Sequence, residues 1–246
     1  MDKVALVTGS SKGIGKAIAK RLSKEGYFVY ITYNTDKKGG KSLVKEIGEK
    51  KSSLVKLNVR DEAEVKATFK KVKKENYHLN VLVNNAGIEI PKRIEDLSLD
   101  EWNTVVETKI NGAFLCTKYA VSLMKEQDNP NIINITSGLG SRPDPDYPAY
   151  CTGTAGLDAL TTIFALDFSR YKIRTNAIAP GPTLTPMWDT MGGDDPKLWK
   201  KFAESNPLGR VSTPEDIAET VMIIINDKTK FLNGNTFFVN GGNHLQ

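Results

Sequence analysis

A glycine-rich segment, TGSSKGIG at residues 8–15, lies between the first apolar run of the chain and the first stretch with helical spacing. Glycines permit a tight turn, and they let the backbone approach a pyrophosphate closely. The following helix would offer free N–H groups and the positive end of its dipole to that anion. Its position after a strand and before a helix therefore predicts a dinucleotide phosphate site. The alternative is a turn that needs only positive φ angles.

The end of the second apolar run bears on the choice between NAD and NADP. An NAD site places an acid there, which accepts a hydrogen bond from the ribose 2′-hydroxyl. The run ends in Tyr33 and Asn34, neither of which is acidic, and Asp36 lies further out and is followed by two lysines. Lys12 lies in the glycine-rich segment itself, so a 2′-phosphate would meet cations. We therefore expect NADP(H), with simple solvation of these lysines as the alternative.

Composition and charge exclude several classes of protein. The 246 residues carry a net charge of +5, but lysines alternate with acids in helical segments, which favours solvated helix faces over a nucleic-acid surface. Two cysteines form neither a disulfide framework nor a CxxC motif. With no apolar window long enough for a membrane span and no signal-like leader, we expect a cytoplasmic protein that binds neither nucleic acid nor membrane.

Short apolar runs alternate with helical stretches along the whole chain. Several runs are apolar at consecutive positions, as strands covered on both faces must be. This alternation predicts an α/β fold: a single-domain Rossmann fold over residues 1–246, with a doubly wound seven-stranded parallel sheet and helices on both faces. The predicted strands are Val4–Thr8, Phe28–Tyr33, Leu54–Val59, Val81–Asn85, Ile132–Thr136, Ile173–Ala179 and Thr236–Asn240.

Residues 180–207 break this rhythm. The stretch is rich in proline, glycine and aspartate and holds two tryptophans and two methionines. So long a segment with little periodicity is either functional or disordered, and its aromatic residues argue against disorder. We therefore predict a substrate lid over about residues 183–207.

Motifs spread through essentially all 246 residues resemble those of the short-chain dehydrogenase/reductase family. Their order along the chain also agrees with the family pattern, which makes the resemblance specific. They are TGSSKGIG, the NNAG of residues 84–87, Asn111 within KINGAFL, Ser137, Tyr150 and the pair Pro180-Gly181. Downstream, the segments NPLGR (206–210), PED (214–216) and VNGG (239–242) resemble the 3-oxoacyl-[acyl carrier protein] reductase branch.

The resemblance implies hydride transfer from a nicotinamide to a carbonyl carbon. Ser137 would hold the carbonyl oxygen, and Tyr150, thirteen residues later, would donate its phenolic proton as general acid. Asn111 would hold a backbone carbonyl and a water that feeds in protons. The alternatives are a serine that only caps the next loop and a half-buried tyrosine at a helix start.

The resemblance also implies the residues that bind the cofactor. No metal ion belongs to the pattern. The expected residues are Gly9, Ser11, Lys12, Gly13, Ile14, Gly15, Asn34, Asn58, Val59, Asn85, Ala86, Gly87, Tyr150, Pro180, Gly181 and Thr183.

Thr154 departs from the family pattern, which has a lysine four residues after the tyrosine. One helical turn would put that lysine on the same face as Tyr150. Its ammonium would donate to the nicotinamide ribose and lower the tyrosine pKa from about 10 by roughly three units, or about 4 kcal/mol. Thr154 occupies the catalytic position without that charge, although its hydroxyl could bond to a water that bridges to the ribose.

The sequence suggests no substitute for this lysine. Tyr33 and Lys37 have the right spacing, but they belong to the adenosine end. Lys109 is two residues from Asn111 on the same predicted helix, so we expect it to point elsewhere. Lys118 is seven residues from Asn111, about 10 Å along the helix axis.

Two main hypotheses follow. Without the lysine, the pKa of Tyr150 stays high. Carbonyl reduction needs the protonated phenol and alcohol oxidation needs the phenolate, so in the first hypothesis the chain acts as a reductase and is a poor dehydrogenase. Alternatively, it binds NADP(H) without hydride transfer. A nucleic-acid-binding module is the least favoured.

The substrate side comprises residues 138–147, residues 88–93 and the predicted lid. Its mixture of apolar and charged residues suits a medium-sized carbonyl compound. A β-ketoacyl group on an acyl carrier is one candidate that the resemblance implies, together with a homotetramer.

Overall fold

The computed structural model describes residues 3–76 and 78–245. Within these ranges, seven strands form one sheet in which every neighbouring pair is parallel. The strands are β1 (Lys3–Val7), β2 (Tyr27–Tyr33), β3 (Ser52–Lys56), β4 (Val81–Asn84), β5 (Asn131–Ile135), β6 (Arg174–Pro180) and β7 (Thr236–Val239). Their spatial order is β3-β2-β1-β4-β5-β6-β7. The predicted doubly wound Rossmann sheet is confirmed.

Helices connect these strands. They are α1 (Gly13–Lys24), α2 (Lys37–Ile47), α3 (Glu62–Asn76), α4 (Leu99–Val106), α5 (Gly112–Met124), α6 (Pro148–Phe168), α7 (Pro196–Glu204) and α8 (Pro214–Ile225). A π-helical turn, Glu107–Asn111, joins α4 to α5. None of the helices in the described ranges has the length and apolarity needed to cross a membrane.

The sheet has an apolar core on each face, as the alternation of β1 shows. Ala5 and Val7 pack in one cluster with residues of α1, α2 and α8. Val4 and Leu6 pack in the other with residues of α3 and α5. Because successive side chains of a strand point to opposite faces, the consecutive apolar residues of β1 serve both cores.

The order in which the chain adds strands to the sheet reverses at β1. β1 pairs with β2 on one side and with β4 on the other, so the two halves of the fold diverge at β1. In open α/β sheets, ligands bind beyond the carboxyl ends of the strands at such a point. The loops that follow β1, β4, β5 and β6 meet at this edge.

Candidate active site

A cleft of about 1000 Å³ opens at the carboxyl ends of the strands. Its volume lies at the upper end of the range for ligand sites. The predicted cofactor-binding residues line this cleft, with the exception of Gly15. The lining members of that set are Gly9, Ser11, Lys12, Gly13, Ile14, Asn34, Asn58, Val59, Asn85, Ala86, Gly87, Tyr150, Pro180, Gly181 and Thr183.

The glycine-rich loop has the backbone that a phosphate cradle needs. Gly9 and Gly13 have φ angles of 61° and 56°, a region that side chains rarely adopt. No side chain caps the N-terminus of α1, so first-turn N–H groups of that helix are available to an anion. Gly15 lies beneath this loop, where a Cβ would come within 2.6 Å of the Gly9 carbonyl oxygen. The loop therefore fits a bound pyrophosphate.

Lys12 of the glycine-rich loop lines the cleft together with Asn34 and Asp36, which follow β2. The Asp36 carboxylate accepts a hydrogen bond of 2.8 Å from the Gly39 N–H and caps α2. It is therefore engaged with its own helix, while Lys12 adds a positive charge to the lining of the cleft.

Tyr150 lies in the first turn of α6, where Pro148 begins the helix. Tyr150 is only 8 % exposed, and against the larger effect of burial the neighbouring Ser137 side chain lowers its pKa. The Ser137 hydroxyl accepts from the Leu139 N–H at 3.2 Å, so it also caps the next turn. Burial, and then the neighbouring Glu89 carboxylate, raise the pKa of Tyr150. The phenol is therefore protonated at neutral pH, as a general acid must be.

Thr154 does not reach the cleft. Its side chain is fully buried, and its hydroxyl donates to the Tyr150 carbonyl oxygen at 2.6 Å. Back-bonding of this kind is common for threonine inside a helix. The structure thus corrects the prediction for Thr154, because the donor that was expected to hold a bridging water is engaged with the backbone of α6.

We expected Asn111 in the site and Lys109 pointing elsewhere, and the structure shows the reverse. Asn111 is exposed and is not among the residues that line the cleft. Lys109 lines the cleft and is only 3 % exposed. The Gly112 N–H donates to the Glu107 carbonyl, which closes the π-helical turn. Because residues two apart on a helix are roughly 200° apart, only one of the two side chains can face inward, and it is Lys109.

The Lys109 ammonium is held close to Tyr150. Its nitrogen lies 5.0 Å from the centre of the Tyr150 ring and donates to the Ile135 carbonyl oxygen at 3.1 Å. Burial lowers the pKa of Lys109 to about 8, against the opposing effect of the carboxylates of Glu89 and Asp158. The expectation from the sequence that Lys109 points elsewhere is therefore wrong.

Glu89 is a second titratable group that the sequence analysis did not single out. It lines the cleft. Burial raises the pKa of Glu89 to about 7, while Lys109 lowers it and Asp144 raises it further. An acidic group that titrates near neutral pH therefore faces the space beside Tyr150 and Lys109.

The predicted lid contributes only part of its side chains to the cleft. Met187 and Trp188 line it, together with Phe202 of α7. Trp188 packs edge to face on Trp199 and Phe202, with ring centres 5.5 and 5.1 Å apart. Trp199 supports Trp188 from outside the lining and donates to the Gly193 carbonyl at 2.8 Å. The segment is therefore a small packed unit rather than an irregular loop.

Comparisons with known proteins agree with this geometry. A family model described as Enoyl-(Acyl carrier protein) reductase matches residues 9–244. The chain is 37% identical over 247 residues to the 3-oxoacyl-[acyl-carrier-protein] reductase FabG of Staphylococcus aureus, covering 100% of this chain and 99% of the relative. It is 33% identical over 249 residues to a short-chain dehydrogenase/reductase of Armillaria gallica, covering 98% and 95% of the two chains.

A solved structure gives the same result. Ligand-free aldohexose dehydrogenase (AldT) of Thermoplasma acidophilum has a TM-score of 0.89 with 31% sequence identity, covering 100% of this chain and 95% of the other. The sequence motifs, the sheet order and these full-length matches agree with one another. The chain therefore belongs to the short-chain dehydrogenase/reductase family of oxidoreductases.

Proposed function

We propose that this protein reduces a carbonyl compound with NADPH and that Tyr150 is the general acid. The observation that carries the proposal is the placement of Tyr150 and Ser137 together in the lining of the cleft, where the Ser137 side chain acts on the pKa of the tyrosine. Family membership supports a nicotinamide-dependent carbonyl reductase in general.

A bound reduced nicotinamide would supply the hydride. Ser137 then holds the carbonyl oxygen by a hydrogen bond and orients the carbonyl carbon in the cleft. Tyr150 donates its phenolic proton to the oxygen as negative charge develops there. Because the pKa of Tyr150 is raised, the phenol is protonated when the substrate binds at neutral pH. Alcohol oxidation would require the phenolate, so we expect the reverse reaction to be slow at neutral pH.

The choice of NADP(H) rests on the charges that line the cleft. Lys12 and Arg60 both line it, and Arg60 is paired with Glu107. The Asp36 carboxylate is engaged in capping α2. A 2′-phosphate carries more negative charge than a hydroxyl, so it gains more from the ammonium.

Replacing Lys12 with alanine is expected to weaken NADPH binding by roughly tenfold and to change NADH binding by less than twofold, because only NADPH carries the phosphate. Fluorescence titration with each cofactor measures both constants. Lys16→Ala, in the first turn of α1 and paired with Glu46 at its exposed surface, should leave both constants unchanged. Equal losses for the two cofactors in the Lys12 variant would contradict the proposal for the 2′-phosphate.

The substrate proposal rests on the lining of the cleft and on the relatives. Apolar residues of the lid segment face the polar residues Glu89, Asp144 and Tyr147, which suits a medium-sized carbonyl compound. One relative is named for 3-oxoacyl groups on acyl carrier protein, so a β-ketoacyl thioester is the first candidate. We also propose that residues 183–207 act as a lid over the substrate.

Assembly and location are further parts of the proposal. Ile163 and Leu166 of α6 are exposed by 55% and 73%, so this helix presents an apolar surface that suits a homotetramer. Phe164 and Ala165, between them, belong to the buried part of the fold. We propose a homotetramer in the cytoplasm that binds neither nucleic acid nor membrane.

The function is tested with β-ketoacyl thioesters, simple ketones and aldoses as a substrate panel. NADPH oxidation is followed by absorbance in this chain and in Tyr150→Phe. We expect turnover with at least one class and its loss in the variant. NADPH binding without turnover of any class would favour the second hypothesis, a family member that binds the cofactor without hydride transfer.

A further inference from the structure

We propose that Lys109 performs the work that the family pattern gives to a lysine four residues after the tyrosine. In this arrangement, its ammonium donates to the nicotinamide ribose and places a positive charge beside Tyr150. The inference rests on the function proposed above. It would make Lys109 a cofactor-binding residue that also tunes the general acid, supplied from the π-helical turn instead of from α6.

The first argument is the unused hydrogen-bonding capacity of the ammonium. A lysine ammonium has three N–H donors, and within residues 3–76 and 78–245 only the Ile135 carbonyl accepts from Lys109. In the same ranges, no carboxylate oxygen lies within 4.0 Å of its nitrogen to form an ion pair. Two donors of a side chain that is only 3 % exposed are therefore available to a ligand in the cleft.

The second argument is the position of the ammonium between Tyr150 and the NNAG loop. Its nitrogen lies 5.0 Å from the Tyr150 ring centre. A Cβ added to Gly87 would lie 3.0 Å from the same nitrogen, so the absence of a side chain at Gly87 makes room for Lys109. Gly87, Lys109 and Tyr150 all line the cleft. A ribose held between the loop and the tyrosine would meet this ammonium.

The third argument is that the two possible lysines converge on one place. The Lys109 side chain passes α6 at Gly153, where an added Cβ would lie 3.2 Å from the Lys109 Cβ. Gly153 directly precedes Thr154, the position at which the family pattern has its lysine. Lys109 therefore reaches the neighbourhood of Tyr150 across the same turn of α6 from which the family lysine would extend.

The buried Lys109 ammonium does not stabilise the folded chain. A buried cation without an ion pair opposes folding, so such groups concentrate at functional sites. The charged or titratable groups that face Lys109 are Glu89, Asp158 and Tyr150. None of these carboxylates neutralises it by direct contact, which leaves its charge available to a cofactor and to a developing phenolate.

This proposal reverses the expected effect of restoring the family lysine. Thr154→Lys alone would add a second ammonium beside Lys109 in a site with little water, and like charges there disfavour each other. With Lys109 present, Thr154→Lys should therefore weaken the site. Once Lys109 is replaced by methionine, which keeps its length without its charge, Thr154→Lys should restore it.

The experiment measures the dissociation constant of NADPH by fluorescence in four chains: the unmodified one, Lys109→Met, Thr154→Lys and the double variant. We expect Lys109→Met to weaken binding by roughly 10- to 100-fold, the range for lost charge-assisted hydrogen bonds. Thr154→Lys should also weaken binding, and the double variant should recover most of the loss. Lys118→Met is the control, because Lys118 lies on α5 in an exposed ion pair with Glu62.

A second readout separates this role from a merely structural one. In the unmodified chain, NADPH affinity should fall as the pH rises above about 8, where Lys109 loses its proton, and this fall should be absent in Lys109→Met. Unmodified protein that fails to bind NADPH would overturn the proposed function itself. Unmodified protein and Lys109→Met that bind NADPH equally well, with the same dependence on pH, would overturn only the role of Lys109.

Discussion

Replacing Tyr150 with phenylalanine is expected to lower kcat/KM for carbonyl reduction by about 10³-fold, within the range for loss of a general acid. NADPH binding should change by less than about threefold, because the buried ring and its contact with Lys109 are kept. The Ser137 hydroxyl retains its hydrogen bond with the Leu139 N–H, so the loop should keep its shape. Steady-state kinetics and a parallel cofactor titration measure the two effects.

Tyr147→Phe is the matched control for this prediction. Tyr147 lines the same cleft three residues earlier, and burial raises its pKa as it raises that of Tyr150. It lacks the interaction with Ser137 that marks the proposed acid, so its loss should lower kcat/KM by less than about tenfold. A larger loss in Tyr147→Phe than in Tyr150→Phe would identify Tyr147 as the acid instead.

Lys109→Met is expected to raise the free energy of unfolding at pH 7 by about 1–3 kcal/mol, although it weakens the site. Burial lowers the pKa of Lys109 from 10.5 to about 8, and each pKa unit corresponds to about 1.4 kcal/mol. The buried charge therefore opposes folding by about 3 kcal/mol, of which loss of the hydrogen bond to Ile135 offsets about 1 kcal/mol. Methionine has no charge to bury.

This gain in stability should depend on pH. The folded Lys109 loses its proton near pH 8, whereas the unfolded lysine keeps it until about pH 10.5. Between these values the unfolded state binds more protons, so the stability of the unmodified chain rises with pH. The advantage of Lys109→Met should accordingly be largest below pH 8 and disappear near pH 10.5.

Urea unfolding at pH 7 and at pH 10 measures this dependence directly. Lys118→Met, which removes an exposed lysine from α5, should show no gain at pH 7. A Lys109→Met chain that is less stable than the unmodified one at pH 7 would show that the ammonium stabilises the fold. The same stability difference at both pH values would show that Lys109 does not titrate in this range.

The fold could be predicted because the burial of each strand requires a pattern of apolar residues that is visible in a short stretch of sequence. Strands covered on both faces must be apolar at consecutive positions, and β1, β4 and β5 are apolar in this way. The boundaries were less predictable. β3 ends at Lys56 rather than at the predicted Val59, because Asn58 begins a turn in which its side chain accepts from the Arg60 N–H.

The cofactor half of the site could also be anticipated, because each motif follows a strand of a parallel sheet. The carboxyl ends of such strands meet at one edge, so residues that follow β1, β4 and β6 must come together whatever the details of packing. The lid was predictable only as an interruption, since Trp188 and Phe202 show their contact only in three dimensions.

Lys109 lines the cleft and Asn111 does not, although the motif match had indicated Asn111. A motif match alone does not establish which side chain of a helix faces the site. The π-helical turn changes which residues of the helix face inward. The asparagine of the motif, Asn111, was therefore assigned to the site in place of Lys109. One signal was present in the sequence. Val105, Lys109, Ala113, Cys116 and Ala120 follow the spacing of a buried helical stripe, and all five are buried in the structure. A lysine at an inward position of an apolar stripe indicates a functional role.

The most direct test of the account follows deuterium from C4 of labelled NADPH during incubation with the substrate panel. The account predicts that mass spectrometry finds the label on the carbinol carbon of at least one product. It also predicts much slower return of deuterium from the labelled alcohol to NADP⁺ at pH 7, after correction for the driving force. Tight NADPH binding with no transfer of label to any carbonyl class would contradict a reductase.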